Sequence, residues 1–215
     1  MRTMTDRARH NELRVFTRYP IPGETKTRLI PALGEEAAAD LQRRMTEFLI
    51  QKLSTVASDE TRITLCWSGA REREVRDWIE PISQTISFAK QTGADLGERM
   101  RNAFQASFRA GHRRTVIIGT DCPGITPDTV RNSFQKLENN DLVLGPAQDG
   151  GYYLIGLSSF QPELFSDINW GSKSVFDQTI QRAEQLELGA HTLQPRRDVD
   201  RPDDLPLLDD INLPE

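Results

Sequence analysis

Between Arg114 and Gly124 the chain reads RTVIIGTDCPG, and this stretch constrains the fold more than any other. Val116, Ile117 and Ile118 are consecutive and β-branched instead of alternating with polar residues, so a strand here is covered on both faces. Such a strand belongs in the middle of a parallel sheet, and the rest of the chain supplies its neighbours. Short apolar runs at Leu13–Arg18, 61–67, 85–91, 141–147, 152–157 and 190–195 read as strands. Between them, residues 34–56, 71–80, 95–111, 172–188 and a stretch opening at Thr126-Pro127 carry helical signals. In residues 34–56, Ala38, Leu41, Met45, Phe48, Leu49 and Leu53 recur at three- and four-residue spacing. In residues 95–111, Leu96, Met100, Ala103, Phe104 and Phe108 do the same, and Gly111 ends the helix as a C-cap. Pro127 suits the first helical position. This alternation predicts an α/β fold, a three-layer α/β/α sandwich around a mostly parallel sheet.

Such sheets bind ligands beyond the carboxyl ends of their strands, where the strand order switches. Four loops leave predicted strand ends. PIPGETKTRL (Pro20–Leu29) combines Pro22 and Gly23, which let backbone approach a ligand, with Lys26 and Arg28. Amides, lysine and arginine together suit a diphosphate, although a solvated basic loop has the same composition and the Walker A spacing is absent. Asp121 follows the buried strand directly, placed for a hard cation that bridges phosphate oxygens, or else for capping its own turn. AQDGGYYLIG (Ala147–Gly156) reads as a hairpin, because Asp-Gly is a strong turn signal, or as a carboxylate and bare backbone offered to a polar ligand. In RRDVDRPDDL, Asp198 and Asp200 project to one side if extended, whereas a plain acidic run is a solvated tail; Val199 between them favours the first.

With Gly93–Met100 (GADLGERM) and Trp170, these motifs in this order resemble the bacterial GT-A-like transferases of the nucleotide-diphospho-sugar transferase superfamily. The resemblance is closer to a small "glycosyltransferase A-like" group, sometimes associated with arsenosugar biosynthesis clusters, and runs from about Leu13 to Leu208. Arg18 stands where that group has lysine, and Arg201 where it has threonine.

The resemblance implies a GT-A fold in one domain, 13–215, with a nucleotide-binding half of about 13–124 and an acceptor half of about 125–215, after a flexible segment 1–12. It implies that Pro22, Gly23, Lys26, Arg28, Gly93, Asp95 and Asp121 bind the nucleotide. Asp121 and Asp200 would hold Mg²⁺ or Mn²⁺, with Asp198 as the replacement if the register differs by two. Asp149, Gly150, Gly151, Tyr152 and Trp170 would contact the acceptor, and Asp121, Asp149 and Lys26 would act in catalysis. Glycosyl transfer from a nucleotide-diphosphate sugar, nucleotidyl transfer from a nucleoside triphosphate, and a non-catalytic nucleotide-binding module stay open at this level.

Composition narrows the partners. A net charge of -5 leaves no basic field for nucleic acid. Cys66 and Cys122 have neither disulfide-framework nor zinc spacing, and the charged residues 1–12 lack the apolar core of a signal peptide. A soluble cytoplasmic protein is expected, with a nucleotide or nucleotide sugar and a small acceptor as partners.

Overall fold

In the computed structural model, residues 10–209, 211 and 213 are described. Seven strands form one sheet: β1 (Asn11–Arg18), β2 (Thr61–Ser68), β3 (Ser87–Lys90), β4 (Arg114–Gly119), β5 (Leu142–Pro146), β6 (Tyr152–Leu157) and β7 (Ala190–Thr192), in the order β3-β2-β1-β4-β6-β5-β7. β6 runs antiparallel to both β4 and β5, while the other pairings are parallel. The sheet is therefore mostly parallel, as the alternation of elements implied.

Among the described residues six α-helices accompany the sheet: α1 (Ile30–Leu33), α2 (Glu35–Leu53), α3 (Glu72–Ile79), α4 (Leu96–Arg109), α5 (Pro127–Lys136) and α6 (Val175–Gln185). Leu13, Val15, Val116 and Ile118 on one sheet face pack with Leu49, Leu53, Val75, Ile79 and Val130 of α2, α3 and α5. Phe16, Ile117, Leu144 and Ile155 on the other face pack with Met100, Phe104 and Ala183 of α4 and α6. Two helical layers thus enclose the sheet, and Val116 and Ile118 are at most 1% exposed. Each apolar face buried this way contributes roughly 25 cal/mol per Å² removed from water.

Several boundaries differ from the sequence reading. The flexible segment 1–12 falls partly outside the described residues, but Asn11 and Glu12 already pair in β1, where Glu12 is buried. Residues 172–174 precede α6 instead of belonging to it. A short helix, α1, follows the first loop directly, with Pro31 in its first turn. The acidic run is no solvated tail. Val199 is fully buried with Leu29, Ala38, Leu41 and Met45, the following Pro202–Leu208 forms a 3₁₀ turn, and Leu205 and Leu208 pack on the same cluster. The chain end is strapped over the first loop. Leu96, expected in the core, is 50% exposed. It is the first residue of α4.

Candidate functional site

The order β2-β1-β4 is the switch in strand order: after β1 the chain moves outward to β2 and β3, then returns to β4 on the other side of β1. The carboxyl ends of these strands open into a cavity of about 870 Å³. Its floor is polar and built into the core. Gln42 Nε2 lies 3.1 Å from Thr17 Oγ1, 3.2 Å from Thr46 Oγ1 and 3.0 Å from Thr120 Oγ1, joining α2 to the ends of β1 and β4. Beside it, Gln91 Nε2 donates to the carbonyls of Thr17 (3.0 Å) and Cys66 (2.7 Å), tying β1 to β2.

Asp121 leaves the end of β4 and lines this cavity. Its backbone carbonyl accepts from Val199 N at 2.8 Å, which brings Asp198 and Asp200 to the same cavity. Lys26 sits behind this junction. Its Nζ donates to Asp121 Oδ1 (2.5 Å) and to the Val199 carbonyl (2.6 Å), and its side chain is 3% exposed against 54% for Asp121. A backbone φ of 49° turns it inward. Lys26 itself does not line the cavity; its ammonium holds Asp121 and the strap. Arg28 does line the cavity, is mostly exposed, and pairs with Asp200.

Asp149 joins the acids from the β5–β6 connection. The hairpin and ligand readings of DGG are compatible, since the turn carries the carboxylate into the cavity. Asp149 Oδ1 accepts from Gly151 N at 2.9 Å, and Gly150 N donates to Ala147 O at 3.2 Å. At Gly150, with φ 92°, a Cβ would stand 1.9 Å from the Lys173 carbonyl oxygen, and the residue does not line the cavity. Its glycine is required by the close pass of residues 172–176, whose Phe176 N donates to Gly150 O at 2.9 Å.

Four carboxylates, Asp121, Asp149, Asp198 and Asp200, thus line one cavity. Burial pushes the Asp198 carboxyl above its ordinary value, and the charges of Asp149, Asp121 and Asp200 push it the same way. A cation placed among them would relieve this, and carboxylate oxygens suit a hard divalent ion. Among the described residues no three His, Cys, Asp or Glu side chains are gathered tightly enough to hold a metal unaided. The residues therefore fit an ion shared between one or two carboxylates and ligand phosphates, the usual arrangement for Mg²⁺.

Gly151, Tyr152 and Trp170 also line the cavity, whereas Pro22, Gly23, Gly93 and Asp95 do not. Asp95 is the N-cap of α4, accepting from Glu98 N at 2.8 Å, and Gly93 is needed because a Cβ would meet Arg99 N at 2.7 Å. Sequence reasoning missed Thr17, Gln42, Gln91, Gly97 and Arg99. Gln42 carried a signal: it falls on the buried stripe of α2, one turn after Ala38. Gly97 admits Trp170, since a Cβ would lie 2.2 Å from the indole. Cys66 and Cys122 are buried free thiols, which burial pushes up to about 12 and about 11, away from reactivity. No described helix is long and apolar enough to cross a membrane.

Residues 49–172 match the family model described as "Uncharacterized protein conserved in bacteria (DUF2064)". A protein of Desulfovibrio desulfuricans G20, provisionally named a nucleotide-diphospho-sugar transferase, is similar at 33% identity with a TM-score of 0.82, covering 89% of this chain and 83% of that one. The 4-diphosphocytidyl-2C-methyl-D-erythritol synthase of Anaerococcus prevotii DSM 20548 shares the fold, with a TM-score of 0.61 at 10% identity over 93% of this chain and 96% of that one. So does a Mycobacterium tuberculosis H37Rv protein solved in complex with manganese, with a TM-score of 0.52 at 13% identity over 92% and 96%. No curated protein matches the chain.

Proposed function

The chain belongs to the DUF2064 family, and we propose that it is a soluble, cytoplasmic, metal-dependent transferase that takes a nucleotide-activated donor. The reading favoured here is a glycosyltransferase that moves a sugar from a nucleotide-diphosphate sugar to a small acceptor. One observation carries it: four carboxylates and a cavity-facing arginine converge from distant parts of the chain at the switch in strand order, and Asp198 is left short of positive charge. The fold shared with nucleotide-diphospho-sugar transferases gives that cavity its expected ligand class.

In this reading Arg28 releases Asp200 and donates to diphosphate oxygens, a charge-assisted contact that strengthens as the leaving group gains charge. Asp121 and Asp200 would hold a divalent ion, Mg²⁺ or Mn²⁺, which would neutralise that same charge. Lys26 keeps Asp121 and the strap in register. Asp149, with Oδ1 fixed by Gly151 N, offers its second oxygen to an acceptor hydroxyl and takes its proton. Gly151 and Tyr152 border the acceptor.

Nucleotidyl transfer is the second reading, favoured by the fold shared with a diphosphocytidyl-sugar-alcohol synthase. Thermal shift with nucleoside triphosphates and nucleotide sugars, with and without Mn²⁺, tests both. A true ligand at 100 times its Kd adds about 2.7 kcal/mol, which raises the Tm by roughly 5 °C or more for a chain of this size. Release of pyrophosphate from a responding triphosphate selects nucleotidyl transfer; response to nucleotide sugars with release of the nucleoside diphosphate selects glycosyl transfer. A protein unmoved by every nucleotide contradicts the proposal.

A further inference from the structure

The wall of the cavity formed by α4 and Trp170 differs from the acidic end. Leu96, the large apolar side chain most exposed among the described residues, lines it, and Met100, Tyr152 and Trp170 continue the same surface. A single exposed leucine on an outer surface needs no explanation, but one that adjoins an aromatic inside a cavity marks a binding surface. Trp170 is fixed there because bare backbone at Gly97 admits its indole. Arg99 lies on this wall too. Its Nε donates to the Gly93 carbonyl at 3.3 Å, which orients the guanidinium, and it forms no ion pair among the described residues. Arg28 and Arg197, which line the same cavity, each hold an aspartate. Arg18 and Arg201 line it too and, like Arg99, form no ion pair among the described residues, but Arg99 is the one carried by α4 beside Leu96 and Met100.

We infer that this wall is the acceptor subsite and that the acceptor is a small anion with an apolar body. The free edge of Arg99 meets its carboxylate or phosphate, and Leu96 and Trp170 cover its carbon skeleton. This rests on the transferase reading of the same cavity. A half-buried guanidinium without a counter-ion is poorly solvated, and an anion restores the balance through charge-assisted, bidentate hydrogen bonds. A neutral sugar or alcohol leaves that cation uncompensated, and a purely inorganic anion leaves Leu96 and the indole wet.

The full chain is titrated with phenyl phosphate, benzoate, benzyl alcohol and inorganic phosphate by calorimetry and tryptophan fluorescence, alone and with UDP or CTP plus Mg²⁺. At least one aryl anion binds, with benzyl alcohol and inorganic phosphate about tenfold weaker or more, and the choice between phenyl phosphate and benzoate identifies the anion. Arg99→Gln weakens the aryl anion about ten- to a hundredfold and leaves nucleotide binding unchanged. Trp170→Leu removes the preference for aryl over inorganic phosphate, and Leu96→Ser, at an exposed side chain, repeats that test in a variant with its core intact. Equal affinity for benzyl alcohol, or unchanged affinity in Arg99→Gln, overturns the inference. So does loss of nucleotide binding in Arg99→Gln, which assigns the arginine to the nucleotide. A wild-type protein that binds nucleotide and ignores every aryl anion sinks this inference alone. One that binds no nucleotide sinks the transferase reading.

Discussion

Glu12 and Asp198 are carboxylates drawn out of solvent in the same domain, and their acidities move in opposite directions. At Glu12 burial pushes the pKa up, but the Arg14 charge and hydrogen bonds from Ser107 and Thr64 outweigh it, and the group ends below its ordinary value. Arg14 Nε and Thr64 Oγ1 donate to it at 2.8 and 2.6 Å. At Asp198 burial also pushes up, and three neighbouring aspartates add to it instead of opposing it. The first environment holds a charge to stabilise the fold between β1 and β2. The second gathers aspartates around Asp198 at a cavity that arginines also line. At Glu12 the compensated charge is structural; in the candidate site Asp121 and Asp200 are paired with Lys26 and Arg28, and Asp149 and Asp198 form no ion pair among the described residues.

Breaking the compensated pair has the largest expected effect. Glu12→Gln leaves Arg14 buried without its counter-charge and should destabilise the protein by about 3–5 kcal/mol in urea unfolding; a loss under about 1 kcal/mol breaks the contrast. The same pair sets a pH dependence. Because the folded Glu12 sits below the ordinary 4.5, its stabilisation is present above that value and is lost as pH falls through the folded pKa. Unfolding midpoints measured from pH 7 down to pH 3 should therefore fall more steeply in the wild type than in Glu12→Gln.

Gly150→Ala comes next, at about 2–3 kcal/mol, since it adds a methyl group against the Lys173 carbonyl at a positive φ. Differential scanning calorimetry measures it, and a neutral result means the hairpin and residues 172–176 are not in contact. Asp198→Asn should act with the opposite sign to Glu12→Gln, raising the unfolding midpoint of the metal-free protein at pH 7 by removing a repelling charge. A lowered midpoint contradicts the reading of Asp198 as uncompensated. The smallest effect is that of Arg28→Gln on stability, below about 1 kcal/mol, because the Arg28–Asp200 pair is largely exposed. Its effect on nucleotide affinity is a separate matter, about 1.5–3 kcal/mol if Arg28 meets the diphosphate, read by calorimetric titration.

The central strand and the loops carrying Arg28, Asp121, Asp149 and Asp200 were legible in the sequence, because each is written in a few contiguous residues; the place where the strand order switches was not. What was not legible depends on contacts across long separations. Lys26 reads as a ligand cation beside a glycine; only its inward turn and the carbonyl of Val199, 173 residues later, make it a clamp. Gly93 and Asp95 read as ligand contacts because they sit in a recognisable motif, whereas the backbone of α4 uses both. Arg99 is one charge among several on a helix until the structure shows which of them find partners. Leu96 obeyed the 3.6-residue period and still faces solvent, since periodicity gives a face but not where along it the core ends.

In the proposed function Asp121 and Asp200 act as one unit on a metal–diphosphate ligand. Calorimetric titration of a responding nucleotide with and without Mn²⁺ tests it across wild type, Asp121→Ala, Asp200→Ala and the double variant. Mn²⁺ is expected to tighten binding in the wild type, each single change to remove most of that gain, and the double change to cost little more. A gain that persists in Asp200→Ala, or losses that add in the double variant, contradicts the shared site.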